Sequence, residues 1–364
     1  MSRLEDAIES ALKEHRVVGT VVLVARSGDI VFRTARGFAD REARRPMAED
    51  DLFRLASLSK PILSATALRL VELGRLRLDQ HISDWLPEFQ PALPDGSTPP
   101  ISIRQLLTHT SGLSYRFLQP EDGPYAAHGV SDGVDQPGLP MAEELRRIVA
   151  AGLRFPPGER WEYSIGLDVL GAAMEARTGA SLDHLITDLV CAPLGMTDTR
   201  FSVANRDRLV TPYADSDAEP VRMNDLGHRV RLRVGPYAEA AGVSFAPARV
   251  FDQTSFQSGG GGLNGTAREF LLFLEAVRTG GGPILSSATC REMMTNQTGD
   301  MLVVNRGPGW GFGFGAAVLL DPEPARTPQS RGTWGWGVCG VTTGLSIPRT
   351  KHRSSSSPTQ PSKA

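Results

Sequence analysis

The stretch "LASLSKPILSATALRLVELG" (Leu55–Gly74) decides how the rest of the chain is read. It sets a lysine three residues after a serine in a chain that scarcely uses lysine. Of the 39 Lys and Arg residues only Lys13, Lys60, Lys351 and Lys363 are lysine; the other 35 are arginine. Arginine at position 60 would supply charge alone. Lysine supplies more, because an amine can release its proton in a protein site and a guanidinium effectively cannot. From Pro61 to Leu76 the apolar residues cluster as in a largely buried helix. With a helix start near Ser57, residues i and i+3 share a face, and Ser57 Oγ meets Lys60 Nζ. Pro61 suits such a start, where the N–H it lacks is little missed. A lysine desolvated there has a lowered pKa and can take the proton that makes serine a nucleophile.

Two other matches act as controls. Ser10-Ala-Leu-Lys13 also reads S-x-x-K, but Leu4, Ala7, Ile8, Ala11 and Leu12 recur at helical spacing between charges. That is a surface helix, on which lysine stays protonated, so spacing alone is weak. Gly129-Val-Ser131-Asp-Gly133 matches G-x-S-x-G. A nucleophile elbow needs a strand before it and a helix after it. Here the motif lies within residues 119–140, which hold four Gly and four Pro and read as a long loop on a binding rim. Ser131 is rejected as a nucleophile. In "LRFPPGERWEYSIGLDVLG" (Leu153–Gly171), Tyr163 ends a turn just before a helix. A phenol there usually packs in a core with its hydroxyl bonded; beside a Ser–Lys pair its phenolate can accept a proton.

Composition narrows the rest. The 364 residues are 40% apolar and 22% charged, with a net charge of −2. That balance gives no electrostatic case for nucleic acid or an anionic membrane. No apolar run approaches the ~18 residues that span a bilayer. The N-terminus, "MSRLEDAIESALKEH", lacks the basic start and the apolar run of roughly 7–15 residues of a secretion signal. Cys191, Cys290 and Cys339 are far apart, odd in number and unlike a zinc spacing, and the seven histidines show no H-E-x-x-H. The expectation is a cytoplasmic protein with no metal and no cofactor.

Along the chain, "GTVVLVARSGDIVFRTARGFAD" (Gly19–Asp40) holds two β-rich runs around a Ser27-Gly28-Asp29 hairpin signal. "ISIRQLLTHTSGL" (Ile101–Leu113) predicts a short helix ending in a polar turn, and Leu167–Gly179 and Ser181–Gly195 predict helices. "SGGGGLNGTAREFLLFLEAVRTG" (Ser258–Gly280) is a glycine turn followed by an amphipathic helix. It lacks the preceding strand and the G-x-x-x-x-G-K-[ST] pattern of a phosphate cradle. Strand-like segments return at "GWGFGFGAAVLL" (Gly309–Leu320) and "GTWGWGV" (Gly332–Val338). This order implies an α/β fold of the α+β kind. The N- and C-terminal strands, about 1–55 and 300–337, form one antiparallel sheet flanked by helices, and about 56–299 form an inserted, mostly helical region.

From about Val18 to Gly337 the chain resembles the serine β-lactamase and penicillin-binding-protein superfamily, in its class C and esterase-like branch. The resemblance rests on "LFRLASLSKPI", "LLTHTSGL", "FPPGERWEYSIGLDVLG", "PLGMTDTRF" and "GGGGLNGTAREF", in that order. It implies a β-lactamase/transpeptidase-like fold, Ser57 as the acylated nucleophile, and Lys60 and Tyr163 sharing the general acid/base role. It also implies an oxyanion hole from the Ser57 N–H and an N–H on a sheet-edge strand; "LLTHTSGL" reads as structural. Two departures bear on substrate. Ile165 stands where class C lactamases carry Asn, and an apolar side chain cannot bond a lactam amide. "TWGWG" stands where K-T-G or H-x-G is usual, putting Trp336, with Gly337 beside it, at the substrate in place of a cation that would hold a lactam carboxylate. Both resemble the esterase branch more closely. The leading expectation is a hydrolase of small carboxylic esters. A β-lactamase, a D-alanyl-D-alanine carboxypeptidase or another amide hydrolase is the alternative, and an inactive scaffold or binding remnant is the alternative outside enzymes.

After Gly337 the composition changes. "VTTGLSIPRTKHRSSSSPTQPSKA" (Val341–Ala364) has no acidic or aromatic residue and holds two of the four lysines. Two readings stand. One is a one-base frame slip near Gly337–Val338, since shifted codons permit Gly-Val-Trp-Gly-His-Asp-Trp-Phe-Val-Asp-Pro, which resembles the family's continuation. The other is a disordered basic tail over 338–364. On either reading the expected hydrolase domain is 1–337; a chain that really ends this way is expected to lack a sheet strand and the C-terminal helix and to be less stable, which puts the second oxyanion donor at stake.

Overall fold

The computed structural model describes residues 2–231, 240 and 242–337; the tail from 338 onward, with Cys339, lies outside the described residues. The amphipathic N-terminus forms helix α1 (Ser2–Lys13) and leads into the hairpin of β1 (Gly19–Arg26) and β2 (Asp29–Asp40). Ser27 and Gly28 carry φ of 55° and 96° and close it as a two-residue turn pairing Arg26 with Asp29. Positive φ at both central residues matches the right-handed twist of the flanking strands. β3 (Arg45–Pro46) adds to β2. β4 (Phe53–Arg54) then leads through Ala56, at φ 44°, and a 3-10 turn (Ala56–Leu58) into α2 (Ser59–Glu72). Eleven of the fourteen residues of α2 are buried, so it is a central helix. Ile62, Leu63, Leu68 and Leu70 are among them, each worth about 1.5–3 kcal/mol on burial. The helix stops at Glu72, short of the expected Leu76, because Gly74 turns left-handed at φ 66°.

A capping box of Ser102 and Gln105 starts α3 (Ile103–Leu107). The predicted long loop 119–140 contains one helical turn, α4 (Pro124–Ala127), with proline in the first turn, where it is tolerated. α5 (Met141–Ala151) and α6 (Gly166–Thr178) follow. The helix expected over Ser181–Gly195 is built of three pieces: α7 (Leu182–Ile186), a π-helical turn (Thr187–Cys191) and α8 (Ala192–Leu194). Pro193 has no N–H to give to the turn ahead of it, and that turn widens.

The inserted region is mostly helical but carries two short ribbons that the sequence reading lacked. β5 (Tyr213–Ala214) pairs with β6 (Val221–Arg222), and β7 (His228–Val230) with β8 (Val243–Phe245). β9 (Asn264–Gly265) returns to pair with β4 before α9 (Ala267–Arg278), capped by Thr266, and α10 (Ser287–Met293). β10 (Trp310–Phe312), β11 (Ala317–Leu319) and β12 (Trp334–Gly335) form an antiparallel sheet in that order.

The mixed helix-and-antiparallel-strand class is as expected. One detail differs. Among the described residues the terminal strands form two separate three-stranded sheets, β1–β2–β3 and β10–β11–β12, where a single sheet was expected. β12 ends two residues before position 337, so the stretch in which a joining strand was expected lies outside the described residues. Among the described residues no helix is long and apolar enough to cross a membrane.

Candidate active site

The pairing of β4 with β9 extends past both strands. The Leu55 N–H donates to the Leu263 carbonyl (2.8 Å), the Leu263 N–H donates to Ser59 Oγ (3.1 Å), and Lys60 Nζ donates to the Gly260 carbonyl (2.6 Å). The glycine run therefore lies directly along the start of α2. Its glycines serve close approach: a Cβ on Gly259 would sit 2.7 Å from Leu63 Cδ2 and 2.9 Å from the Leu167 carbonyl oxygen.

Three of the residues picked from sequence converge here. Lys60 Nζ lies 3.2 Å from Ser57 Oγ, and the Tyr163 hydroxyl lies 2.6 Å from the same Oγ. The left-handed Ala56 redirects the chain so that Ser57 stays partly exposed while Lys60 is 1% exposed. Lys60 Nζ sits over the rings of Tyr163 (4.7 Å) and Tyr115 (5.2 Å), contacts that favour a cation in a dry site. The Tyr163 ring is held by His109 (4.9 Å), Tyr115 (4.9 Å) and Trp336 (5.3 Å). Ser57, Lys60, Tyr163, Trp336 and Gly337 all line one cleft of about 280 Å³, walled also by Phe117 and Phe245. Trp336 is 4% exposed, and its Nε1 has no hydrogen-bond partner among the described residues.

The two decoys stay apart from this cleft. Ser10, on α1, donates to Glu14 just past the helix end, with Lys13 exposed. Ser131 is buried, its hydroxyl donates to Asp135, and it shapes the loop.

Several residues at the site gave no sequence signal. Asp168, 2% exposed in the first turn of α6, accepts from Ser258 Oγ (2.5 Å) and from the Gly260 N–H (3.2 Å). Burial pushes its carboxyl up, against the Ser258 hydroxyl, the Lys60 charge, the Gly260 N–H and the Arg249 charge, which hold it down. His109, in the segment read as structural, receives the Ser164 N–H on Nδ1 (3.2 Å). Burial first, then the Lys60 charge, keep its imidazole well below the usual range, so it is a neutral packing ring under Tyr163. Asp132 accepts the Arg116 N–H (2.7 Å) and braces the turn that carries Phe117 into the cleft wall. An acid one helical turn past a tyrosine, and a glycine run, are too common to single out; only the folded contacts do so.

The beta-lactamase family model matches residues 4–350. The chain belongs to the beta-lactamase family. Within its wider relations the chain is 48% identical to esterase EstB of Burkholderia gladioli over 336 residues, covering 92% of this chain and 84% of that one. Among solved structures it is similar to EstCE1, a hydrolase with promiscuous acyltransferase activity, at 42% identity and a TM-score of 0.87, covering 92% and 87% of the two chains. Simvastatin synthase from Aspergillus terreus, at 23% identity and a TM-score of 0.69, covering 92% and 87%, shares the fold.

Proposed function

We propose that this beta-lactamase-family chain is a serine hydrolase that cleaves small carboxylic esters through an acyl-Ser57 intermediate. The observation that carries this is the meeting of the Tyr163 hydroxyl (2.6 Å) and Lys60 Nζ (3.2 Å) on Ser57 Oγ inside an aromatic-walled cleft. Serine is a weak nucleophile until an adjacent group takes its proton. The Lys60–Tyr163 pair takes that proton as Oγ attacks the ester carbonyl. The oxyanion is held by the Ser57 N–H and an N–H of the Trp336–Gly337 segment. The pair then protonates the departing alcohol, and water, activated by the same pair, releases the acid and restores Ser57.

Preference for esters over β-lactams rests on two side chains. Ile165 is 2% exposed and belongs to the core, so it offers nothing to a lactam amide. Trp336 stands where a cation is usual, and its neutral indole brings no positive charge to pair with a lactam carboxylate. The similarity to EstB, named an esterase, and to EstCE1, named a hydrolase, supports the same reading. Residues 1–337 are read as the hydrolase domain and the cytoplasm as its compartment.

Assays with p-nitrophenyl acetate or butyrate beside a chromogenic cephalosporin test it. Turnover of the esters, with the cephalosporin hydrolysed far more slowly, is expected. A cephalosporin turned over with equal or greater kcat/KM overturns the ester assignment.

A further inference from the structure

Gly260 is bonded in two directions. Its carbonyl accepts from Lys60 Nζ at 2.6 Å, and its N–H donates to Asp168 Oδ1 at 3.2 Å. The same carboxylate oxygen receives the Ser258 hydroxyl at 2.5 Å. A Cβ on Gly260 would lie 2.7 Å from Asp168 Oδ2 and 3.0 Å from the Tyr115 hydroxyl, so Asp168 and Tyr115 press on this one α-carbon. Asp168 Oδ2 is buried and has no hydrogen-bond partner among the described residues. Asp168 thus stands directly behind the peptide that holds Lys60.

We infer that Asp168 is a positioning residue for the ester hydrolysis proposed above: through Gly260 it fixes Lys60 Nζ beside Ser57, and its charge sets the pH range over which the Lys60–Tyr163 pair works. The inference rests on that reading of Ser57, Lys60 and Tyr163. The groups facing Asp168 come from several elements: Lys60 from α2, Tyr115 after α3, Glu144 from α5 and Arg249 from the 3-10 turn Pro247–Phe251. Lys60 itself also faces Tyr163 and His109.

The electrostatic consequence does not depend on which partner holds the proton. Lys60 and Tyr163 share one site and titrate as a coupled pair with two macroscopic pKa values. The pair is active with a single exchangeable proton between ammonium and phenol. A nearby negative charge makes every proton harder to remove, so it raises both values. Removing the charge moves both limbs of the pH profile to lower pH. Loss of mere bracing lowers the profile at every pH and leaves its limbs in place.

The test is the pH dependence of kcat/KM on p-nitrophenyl butyrate for wild type, Asp168→Asn and Asp168→Glu, with thermal melts confirming folded protein. Asn keeps an acceptor for Ser258 and Gly260 and drops the charge, and both limbs should fall by about 1 pH unit. Glu keeps the charge and should return the limbs toward wild type. If Asp168→Asn does not fold, Asp168→Ala, uncharged and smaller, carries the same expectation for the limbs, with a lower plateau. A charge-removing variant whose profile is lowered but unmoved, or unchanged, overturns the inference. If wild type neither hydrolyses esters nor reacts with a fluorophosphonate, the underlying reading of the site fails instead.

Discussion

Lys60 and Gly260 stand 200 residues apart in the chain and are joined by a 2.6 Å hydrogen bond from Nζ to a backbone carbonyl. The bond ties the helix that carries the serine to the glycine run of the inserted region. It also fixes the amine where it reaches Ser57 and lies over two tyrosine rings.

Arginine at position 60 keeps the charge but cannot take up a proton, and its longer fork does not fit a residue that is 1% exposed. Lys60→Arg should lower kcat by about 100-fold or more with p-nitrophenyl butyrate. Activity within about tenfold of wild type refutes a proton-transfer role for Lys60.

Tyr163→Phe separates packing from chemistry. The phenyl ring retains the contacts with His109, Tyr115 and Trp336, while the 2.6 Å contact with Ser57 Oγ is lost. Thermal stability should hardly change while kcat falls about 10²–10⁴-fold. A variant that keeps wild-type kcat contradicts the assignment.

Gly259 has no room for a side chain, since Leu63 Cδ2 and the Leu167 carbonyl oxygen are 2.7 and 2.9 Å from where a Cβ would stand. Leu63 can shift, whereas the Leu167 backbone in α6 cannot do so cheaply. Gly259→Ala should cost about 1–3 kcal/mol in urea denaturation. An unchanged midpoint would show that the two helices and the glycine run are packed less tightly than described.

Glu144, 1% exposed on α5, accepts the Ser131 N–H on both carboxylate oxygens at 3.1 Å. Burial raises its pKa from 4.5 to about 8, opposed by the Ser131 N–H and reinforced by Asp168, Asp135 and Asp132. The folded state thus binds the proton more tightly than the unfolded chain. The associated stability is fully present below 4.5 and is lost as pH rises toward about 8. The wild-type Tm should fall between pH 5 and pH 8.5, and Glu144→Gln, neutral throughout, should flatten that fall. Equal slopes for the two proteins contradict a buried, protonated Glu144.

Much of the architecture was legible because it is local. The hairpin at Ser27-Gly28, α2, the amphipathic α9 and the S-x-x-K geometry follow from turn chemistry, apolar period and i,i+3 spacing. Ser57, Lys60 and Tyr163 could be picked because their side chains are chemically distinctive in their segments. Gly260, Asp168 and His109 could not. Gly260 acts through a carbonyl that every residue possesses, and Asp168 and His109 matter only through neighbours brought near by folding. The small ribbons β5–β6 and β7–β8 escaped for a related reason: two- or three-residue strands are too short for alternation to show. Ser131 met a motif and sits in a braced loop instead, because the motif lacks the strand and helix that an elbow requires.

Whether Ser57 is the nucleophile is read out by covalent labelling. Wild type and Ser57→Ala are each incubated with a fluorophosphonate, and the intact mass and the modified peptide are measured. One added phosphonyl group is expected on wild type, located on Ser57, and none on Ser57→Ala. Labelling that survives the substitution, or that maps to Ser10 or Ser131 in wild type, contradicts that assignment.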